Sequence, residues 1–442
     1  MANTYLSRTN SSSGTSDKIF TYSFWIKRAK VDAEHCIAGA GTSQREFIRF
    51  ESTGELTYRR TSGSAFQFTT LRKFRDVGAW YNIVFNIDSR LSSGGDRVKL
   101  YVNGVSETAV SAATDMGQNY TPKIGAAELQ TIGKDSEQAN PYFDGCMSHV
   151  HFIDGIRYDA SYFGSTDSTT GEWKINTSPS VTYGTNGFTI LKDGNTITDQ
   201  SSNSNNFTLS GGTLTKTEDC PSDVFATLNP LGSGTFTFSN GNNTAIRSTS
   251  SSFHTAISNL GASSGKYYAE AKAISIGSVT YGSYIGFINL DVTNKQNTAG
   301  VNIGEGTDSA GISSGGGYIY YNGNQFAGPT TATTNGDIVN LAMDLDNGRL
   351  YWGINGTYLN SGNPASGSTG TGGMPIANLT AGGTYTFGVS LRNDANYSWN
   401  FGNGYFGTTA IASEGSNASG IGIFEHDVPS GYTALSTKGL NL

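Results

Sequence analysis

The chain has 442 residues, 58 of them glycine, with only 14% charged residues and a formal net charge of -7. That length exceeds one ordinary hydrophobic core and predicts two domains. An acidic balance without any Lys/Arg run excludes a stripe that tracks nucleic-acid phosphates, and no apolar stretch is long enough for a membrane-spanning helix.

Along the chain the apolar pattern has a period of two. Phe20, Tyr22, Phe24 and Ile26 share one face of "FTYSFWIK", Tyr81, Ile83, Phe85 and Ile87 one face of "YNIVFNID", and Val98, Leu100 and Val102 one face of "RVKLYVNG". This is the alternation of half-buried strands, and residues 1–164 are predicted as one sandwich. In residues 165–231 the apolar runs shorten and "SSNSNN" and "GGTLTKTEDCPSD" intervene, which predicts a bridging segment with a few strands. Strands resume at Gly232 with "KYYAEAKAI", "SYIGFI", "GYIYY", "TYTFGVSL" and "YSWNFG", so residues 232–442 are predicted as a second sandwich. Asn-Gly pairs at 103–104, 186–187, 240–241, 322–323, 347–348, 355–356 and 403–404 mark hairpin turns. In "DIVNLAMDLDNGRLYWGING" (337–356), Val339, Leu341, Met343 and Leu345 face one way before a type I′ turn at Asn347-Gly348. Asp346 sits at that turn, where it bonds its own backbone, and Leu350, Trp352 and Ile354 restart the apolar face. The Gly/Ser/Thr-rich loop 361–373 is either an exposed binding loop or a disordered one. No repeat of fixed period relates the two halves. The fold class is all-β, two antiparallel β-sandwiches.

Few motifs carry chemistry. "GASSG" (261–265) and "GISSG" (311–315) fit the nucleophile elbow G-x-S-x-G, but neither opens a helical pattern. "GNGYFG" (402–407) fits G-x-G-x-x-G, yet no helix follows to aim amides at a pyrophosphate. Asp344 and Asp346 imitate a catalytic carboxylate pair and are read as hairpin residues. His149 and His151 alternate on one strand, a spacing able to bind a metal; with no third ligand in view, they are read as one packed and one solvated. Cys36, Cys146 and Cys220 are odd in number and widely spaced, and the start "MANTYLSRTN" lacks the regions of a signal peptide, which together predict folding in a reducing cytosol. Trp25, Trp80 and Tyr101 lie on polar strand faces of the first sandwich and Tyr351 on that of the second, positions suited to stacking on a sugar ring or a partner surface. Tyr318, Tyr320 and Tyr321 beside "GGG", and the polar loop "RNDANY" with Arg392, Asn393 and Tyr397, have the composition of an adaptable binding surface.

"YSFWIKRA" (22–29), "AWYNIVFNID" (79–88), "RVKLYVNG" (97–104), "TIGKDSE" (131–137) and "YFDGCMSHVHFIDG" (142–155) resemble, in that order, a laminin-G-like domain of the concanavalin A-like lectin/glucanase class. "SGKYYAEAK" (264–272), "YIGFIN" (284–289), "GDIVNLAMDLDNGRLYWGING" (336–356) and "YSWNFG" (397–402) resemble a SPRY domain. "FATLNPL" (225–231) and the closing "VPSGYTALSTKGLNL" are similar to segments of large proteins of marine bacterial viruses that carry this pairing of domains. The resemblance implies two concanavalin-like, jelly-roll-type sandwiches on the surface of a bacteriophage virion. There the protein is expected to act as a tail-fibre-type adhesin for host-surface polysaccharide, or alternatively as a capsid decoration or purely architectural protein. Other virion proteins and further copies of the chain, in a homo-oligomer, are its expected partners. Laminarinase-type enzymes of this fold carry an E-x-D-x-E run on one strand; this sequence has none, so binding without catalysis is expected rather than polysaccharide depolymerisation. No cofactor is expected, with calcium the single candidate, at Asp88, Asp96, Asp135 and Glu137 on loop edges.

Overall fold

The alternating stretches form strands where their periodicity places them, among them Ile19–Arg28, Tyr81–Asp88, Val98–Val102, Lys266–Ser275, Ser283–Asn289 and Tyr385–Leu391. The structure is a computed structural model that describes residues 3–442 except 62, 64, 140, 193, 195, 232–235, 249–250, 279–281, 292–301 and 380–381. The chain is all-β and divides into two units, Met1–Lys216 and Thr217–Leu442. Residues 165–231, read from the sequence as a bridge, are shared between the units. Phe188–Ile190 and Thr208–Leu209 join sheets of the first, while the segment from Thr217 packs in the second. The sequence boundary at Gly232 lies outside the described residues.

In the first unit an eight-stranded sheet runs in the order Val110–Thr114, Phe66–Lys73, Glu55–Arg60, Glu46–Phe50, His35–Ala40, Leu129–Ile132, Leu6–Thr9, Thr208–Leu209. A six-stranded sheet faces it, in the order Phe188–Ile190, Gly145–Asp154, Ile19–Arg28, Tyr81–Asp88, Val98–Val102, Val105–Glu107. Phe20, Tyr22, Phe24 and Ile26 meet Ile48, Phe50, Leu56 and Tyr58 between the layers. Tyr58 lies 5.6 Å from Phe85 of the opposite sheet, in the edge-to-face geometry that aromatic quadrupoles favour. The outer face of the six-stranded sheet is covered by the chain itself. Val84 and Ile153 pack under Ala160 and Phe163, with Tyr101, Trp173 and Tyr183 around them, and Trp173 Nε1 donates to Asn82 Oδ1 at 3.1 Å.

The second unit repeats the architecture with different strands. Its larger sheet has the central order Ala395–Asn400, Lys266–Ser275, Ile338–Asp344, Arg349–Ile354; its six-stranded partner runs His254–Ile257, Tyr385–Leu391, Ser283–Asn289, Ser309–Ser313, Ile319–Tyr321, Asn324–Ala327. Trp352 closes the core between them: its ring lies 5.0 Å from Phe287 and its Nε1 donates to the Ile285 carbonyl at 3.0 Å. On the far side of the larger sheet, Phe424, Val428 and Tyr432 cover Tyr268, Ala342 and Tyr351.

The hairpin at 337–356 forms, but its turn differs from the sequence reading. Asp344 pairs in register with Arg349, so the connection is a four-residue loop in which Gly348 (φ 62), and not Asn347, is left-handed. The cause is Asp344, which is fully buried and accepts from Asn347 N (2.9 Å) and Asn347 Nδ2 (2.8 Å) while pairing with Lys266 at 3.1 Å. A two-residue turn would not present those donors. Asp346 accepts instead from Gly265 N at 2.7 Å. The type I′ geometry is realised at Asn103-Gly104, Asn322-Gly323 and Asn355-Gly356, where both central residues have positive φ and the flanking residues pair directly. At Gly356 (φ 81) an added Cβ also meets the His426 ring at 2.8 Å. Gly356→Ala is therefore expected to cost the second unit about 1–2 kcal/mol, read as a lower denaturant midpoint with unchanged slope.

Candidate functional site

The six-stranded sheet of the second unit turns Phe287, Phe387 and Val389 into the core, so the alternate residues Tyr284, Gly286, Ile288, Gly388 and Ser390 form its outer face. Gly388, Gly286 and Gly311 fall in one register across three neighbouring strands. The shallow groove they leave is filled by Ile303, whose side chain would be 2.8 Å from a Cβ at Gly311, and whose N–H donates to Ser390 Oγ at 2.9 Å. Around this seat runs a continuous row of rings. Arg392 lies over Phe253 at 4.3 Å; Phe253 is 5.3 Å from Tyr284, Tyr284 6.3 Å from Tyr320, and Tyr320 6.1 Å from Tyr318. The exposed Glu305 accepts from the Tyr284 hydroxyl at 3.0 Å. Burial, and then the Glu305 carboxylate, hold that hydroxyl protonated well above its ordinary range.

Tyr318, Tyr320, Arg392 and Asn393 are half-buried, so the row reaches solvent at its two ends. Asn393 (φ 50) and Asp394 (φ 63) make the tight turn that positions Arg392. Phe253 and Tyr284 are buried, so the groups offered to a ligand are the Tyr318 and Tyr320 rings, the Arg392 guanidinium and the Glu305 carboxylate, apolar faces beside polar partners, the combination that suits sugar rings or a polar peptide.

The structure brings together Tyr318, Tyr320, Arg392 and Asn393 of the residues singled out in the sequence. It does not place the others on open faces. Trp25, Trp80 and Tyr351 are 4%, 7% and 2% exposed, and Tyr101 is half-buried in the cluster under Phe163 and Trp173. The outer faces to which these aromatics belong are covered by residues 156–183 in the first unit and by the C-terminal segment in the second, and Trp25 and Trp80 are buried likewise. Tyr397 is not in a loop but in strand Ala395–Asn400, fully buried, sharing a hydrogen bond with Ser283 Oγ at 2.8 Å. Phe253, Tyr284 and Glu305 complete the row without having been singled out. For Tyr284 the signal was present in the alternation of "YIGFIN"; for Phe253 and Glu305, which join the row from elsewhere in the chain, it was not.

The calcium candidates are each held by a basic side chain: Asp88 by Arg90 (3.0 Å), Asp96 by Lys99 (2.7 Å), Asp135 by Arg45 (2.9 Å) and Glu137 by Arg45 (3.6 Å). Among the described residues no three His, Cys, Asp or Glu side chains gather as a metal requires. His149 and His151 are both buried, because a bulge between Ser148 and His151 breaks the alternation and His149 takes a φ of 48. His149 Nδ1 bonds Ser148 Oγ at 2.7 Å and His151 Nδ1 bonds the Tyr183 hydroxyl at 2.9 Å. Of the nucleophile-elbow strings, Gly311 to Ser313 lie within strand Ser309–Ser313, and "GNGYFG" enters the short strand Tyr405–Phe406. The loop at 361–373 folds over a 3-10 segment, Pro364–Thr369, capped by Asn363. Among the described residues no helix is long and apolar enough to cross a membrane.

Residues 2–161 match the family described as the Concanavalin A-like lectin/glucanases superfamily. No curated protein matches the chain. Among solved structures, the SPRY domain of human HERC1 is similar at 13% identity and a TM-score of 0.30, over 39% of this chain and 96% of that one. A heptameric SAP-like pentraxin from Limulus polyphemus is similar at 14% identity and a TM-score of 0.28, over 43% and 89%. Domain 4 of AbnA, an extracellular arabinanase from Geobacillus stearothermophilus solved with arabinotriose, is similar at 19% identity and a TM-score of 0.26, over 33% and 64%.

Proposed function

We propose that this chain is a non-catalytic adhesin that recognises surface polysaccharide, displayed as a structural protein on a bacteriophage particle. The observation that carries the reading is the row Arg392, Phe253, Tyr284, Tyr320 and Tyr318, in which the buried Phe253 and Tyr284 support Arg392 at one end and Tyr320 and Tyr318 at the other, where the row reaches solvent. The match of residues 2–161 to a lectin and glucanase family lies in the first unit and supports saccharide recognition by the chain independently of the row, which lies in the second. Residue motifs resembling those of marine-virus proteins supply the particle. A single sugar contact of this kind is weak, and a homo-oligomer on a particle would convert it into tight adhesion by raising the effective concentration of the second contact.

Purified chain is expected to bind polysaccharide extracted from host cells, and Tyr320→Ala to weaken that binding roughly tenfold, the loss of one ring contact of about 1.4 kcal/mol. Equal binding by the variant would remove the row from the reading. Shortened polysaccharide after incubation would overturn the non-catalytic part. Gold-labelled antibody against the chain should decorate tail fibres of intact particles; label over the head would favour capsid decoration instead.

A further inference from the structure

The outer face of the eight-stranded sheet in the first unit carries an anomaly of charge. Its basic side chains are otherwise matched. Arg49 pairs with Glu34 (2.9 Å) and Glu51 (2.8 Å), Lys73 with Glu55 (3.2 Å), Arg72 with Glu107 (2.7 Å) and Arg45 with Asp135 (2.9 Å). Arg60, which points the other way, donates to the Tyr120 hydroxyl at 2.7 Å. Arg59 alone among the described arginines and lysines of strands Glu46–Phe50, Glu55–Arg60 and Phe66–Lys73 has neither a carboxylate nor a hydrogen-bond acceptor for its guanidinium. It is half-buried, in a chain whose acids outnumber its bases.

Its neighbours are an aromatic ring on one side and polar groups on the other. In register, Arg59 lies between Phe47 and Gln67. Gln67 Nε2 donates to Thr69 Oγ1 at 3.0 Å, and Thr69 Oγ1 shares a hydrogen bond with Thr57 Oγ1 at 2.9 Å. This network engages the Gln67 amide nitrogen, and Gln67 is the cross-strand register neighbour of Arg59. Two columns further along the sheet, the turn at 133–137 closes over the face, since a Cβ at Gly39 would meet Ser136 N at 2.7 Å. The unpaired charge thus sits between the Phe47 ring, over which Arg45 and Arg49 lie at 5.6 and 4.7 Å, and the linked amide and hydroxyls of Gln67, Thr69 and Thr57. A guanidinium supplies a planar fork of donors matched to a carboxylate or sulfate, and an adjacent amide oxygen accepts from a hydroxyl.

We propose that Arg59 and Gln67 form a second saccharide site, selective for anionic polysaccharide, in which the guanidinium takes the acidic group and the Gln67 amide a neighbouring hydroxyl. This inference rests on the saccharide reading above and gives it a substrate class. The test uses the full chain with polygalacturonate, its methyl-esterified form, dextran sulfate and dextran as probes, and compares the wild type with Arg59→Gln, Arg59→Lys and Tyr320→Ala. The wild type should bind at least one acidic polymer more tightly than its neutral counterpart, and more weakly as salt screens the charge. Arg59→Gln should lose roughly tenfold for the acidic polymer and little for the neutral one, with Arg59→Lys recovering part of the loss. Because Arg59 has no partner to lose, its variants should keep the wild-type melting temperature, which separates recognition from folding. Which acidic polymer binds distinguishes a carboxylate from a sulfate as the ligand group. If Arg59→Gln binds acidic polymer as well as wild type while Tyr320→Ala does not, the Arg59 site is wrong and the adhesin reading stands. Wild type that binds none of these polymers, nor host polysaccharide, overturns both. Single-stranded DNA held through Arg59 as tightly as the polysaccharides would overturn the saccharide assignment.

Discussion

Glu270→Ala is expected to detach the C-terminal segment from the second unit and to lower its stability by roughly 3–5 kcal/mol. Glu270 is fully buried on strand Lys266–Ser275, and its carboxylate collects donors from distant parts of the chain. It accepts from the Tyr268 hydroxyl (3.0 Å), Asn400 Nδ2 (3.2 Å), Glu425 N (3.0 Å) and His426 N (2.8 Å), and His426 Nδ1 lies 3.5 Å away. Two of these donors are backbone amides of the covering segment, so removing the carboxylate leaves N–H groups that must open to water to be satisfied. The apolar seal of Phe424, Val428 and Tyr432 over Tyr268 and Tyr351 would loosen with them. At roughly 2–4 °C per kcal/mol, the melting temperature of this unit should fall by about 10 °C. Hydrogen exchange gives the local readout: amides of residues 423–428 should lose protection before the strands do. Wild-type protection there would show that the segment is held by its apolar contacts alone.

Acidification should destabilise the first unit through two buried histidines. Burial, with a smaller contribution from His149, lowers the His151 pKa from 6.5 to about 3. Burial first, then Arg28 and Lys30, lowers His35 to about 4. Both rings are neutral in the fold, whereas in the unfolded chain they take up a proton below 6.5. Between the folded and unfolded pKa values the unfolded state therefore binds more protons, and stability is lost as pH falls from 6.5 toward 3–4. One pKa unit is about 1.4 kcal/mol, so each ring contributes a loss of about 2 kcal/mol by about pH 5. Glu46 and Asp144, both raised by burial, act in the opposite sense, since protonation relieves their desolvation. The difference between wild type and His151→Gln isolates one ring. The variant is expected to be less stable near neutrality, having lost the ring stacked on Tyr183, but to show a shallower decline between about pH 6.5 and 4. Parallel curves for the two proteins would mean that His151 titrates alike folded and unfolded.

The strands were legible because each one buries a single stripe against one core, and a period of two survives in the residues that do so. "FTYSFWIK", "YNIVFNID" and "YIGFIN" became strands, and four Asn-Gly pairs, at 103–104, 240–241, 322–323 and 355–356, took the left-handed turns their small side chains permit. The candidate site was legible only at its ends. Tyr318, Tyr320 and Arg392 drew notice as aromatic or charged residues in polar loops, whereas Phe253 and Glu305, which connect them, stand in unremarkable polar surroundings.

What the sequence by itself determined is therefore the all-β class, two sandwiches and most strand positions, since these follow from local alternation and turn chemistry. Which faces are open was decided by the tertiary structure. Trp25, Trp80, Tyr101 and Tyr351 have the pattern of outward residues, yet segments far along the chain, residues 156–183 and the region around Phe424, cover the outer faces on which Tyr101 and Tyr351 lie. A strand's alternation records only that its two faces differ. It carries no trace of a second layer folding back, because that layer is specified by residues more than 50 positions away, such as Trp173 on Asn82 and His426 on Glu270. The same holds for charge: Arg59 looks like any other strand arginine until the fold pairs its neighbours and leaves it alone.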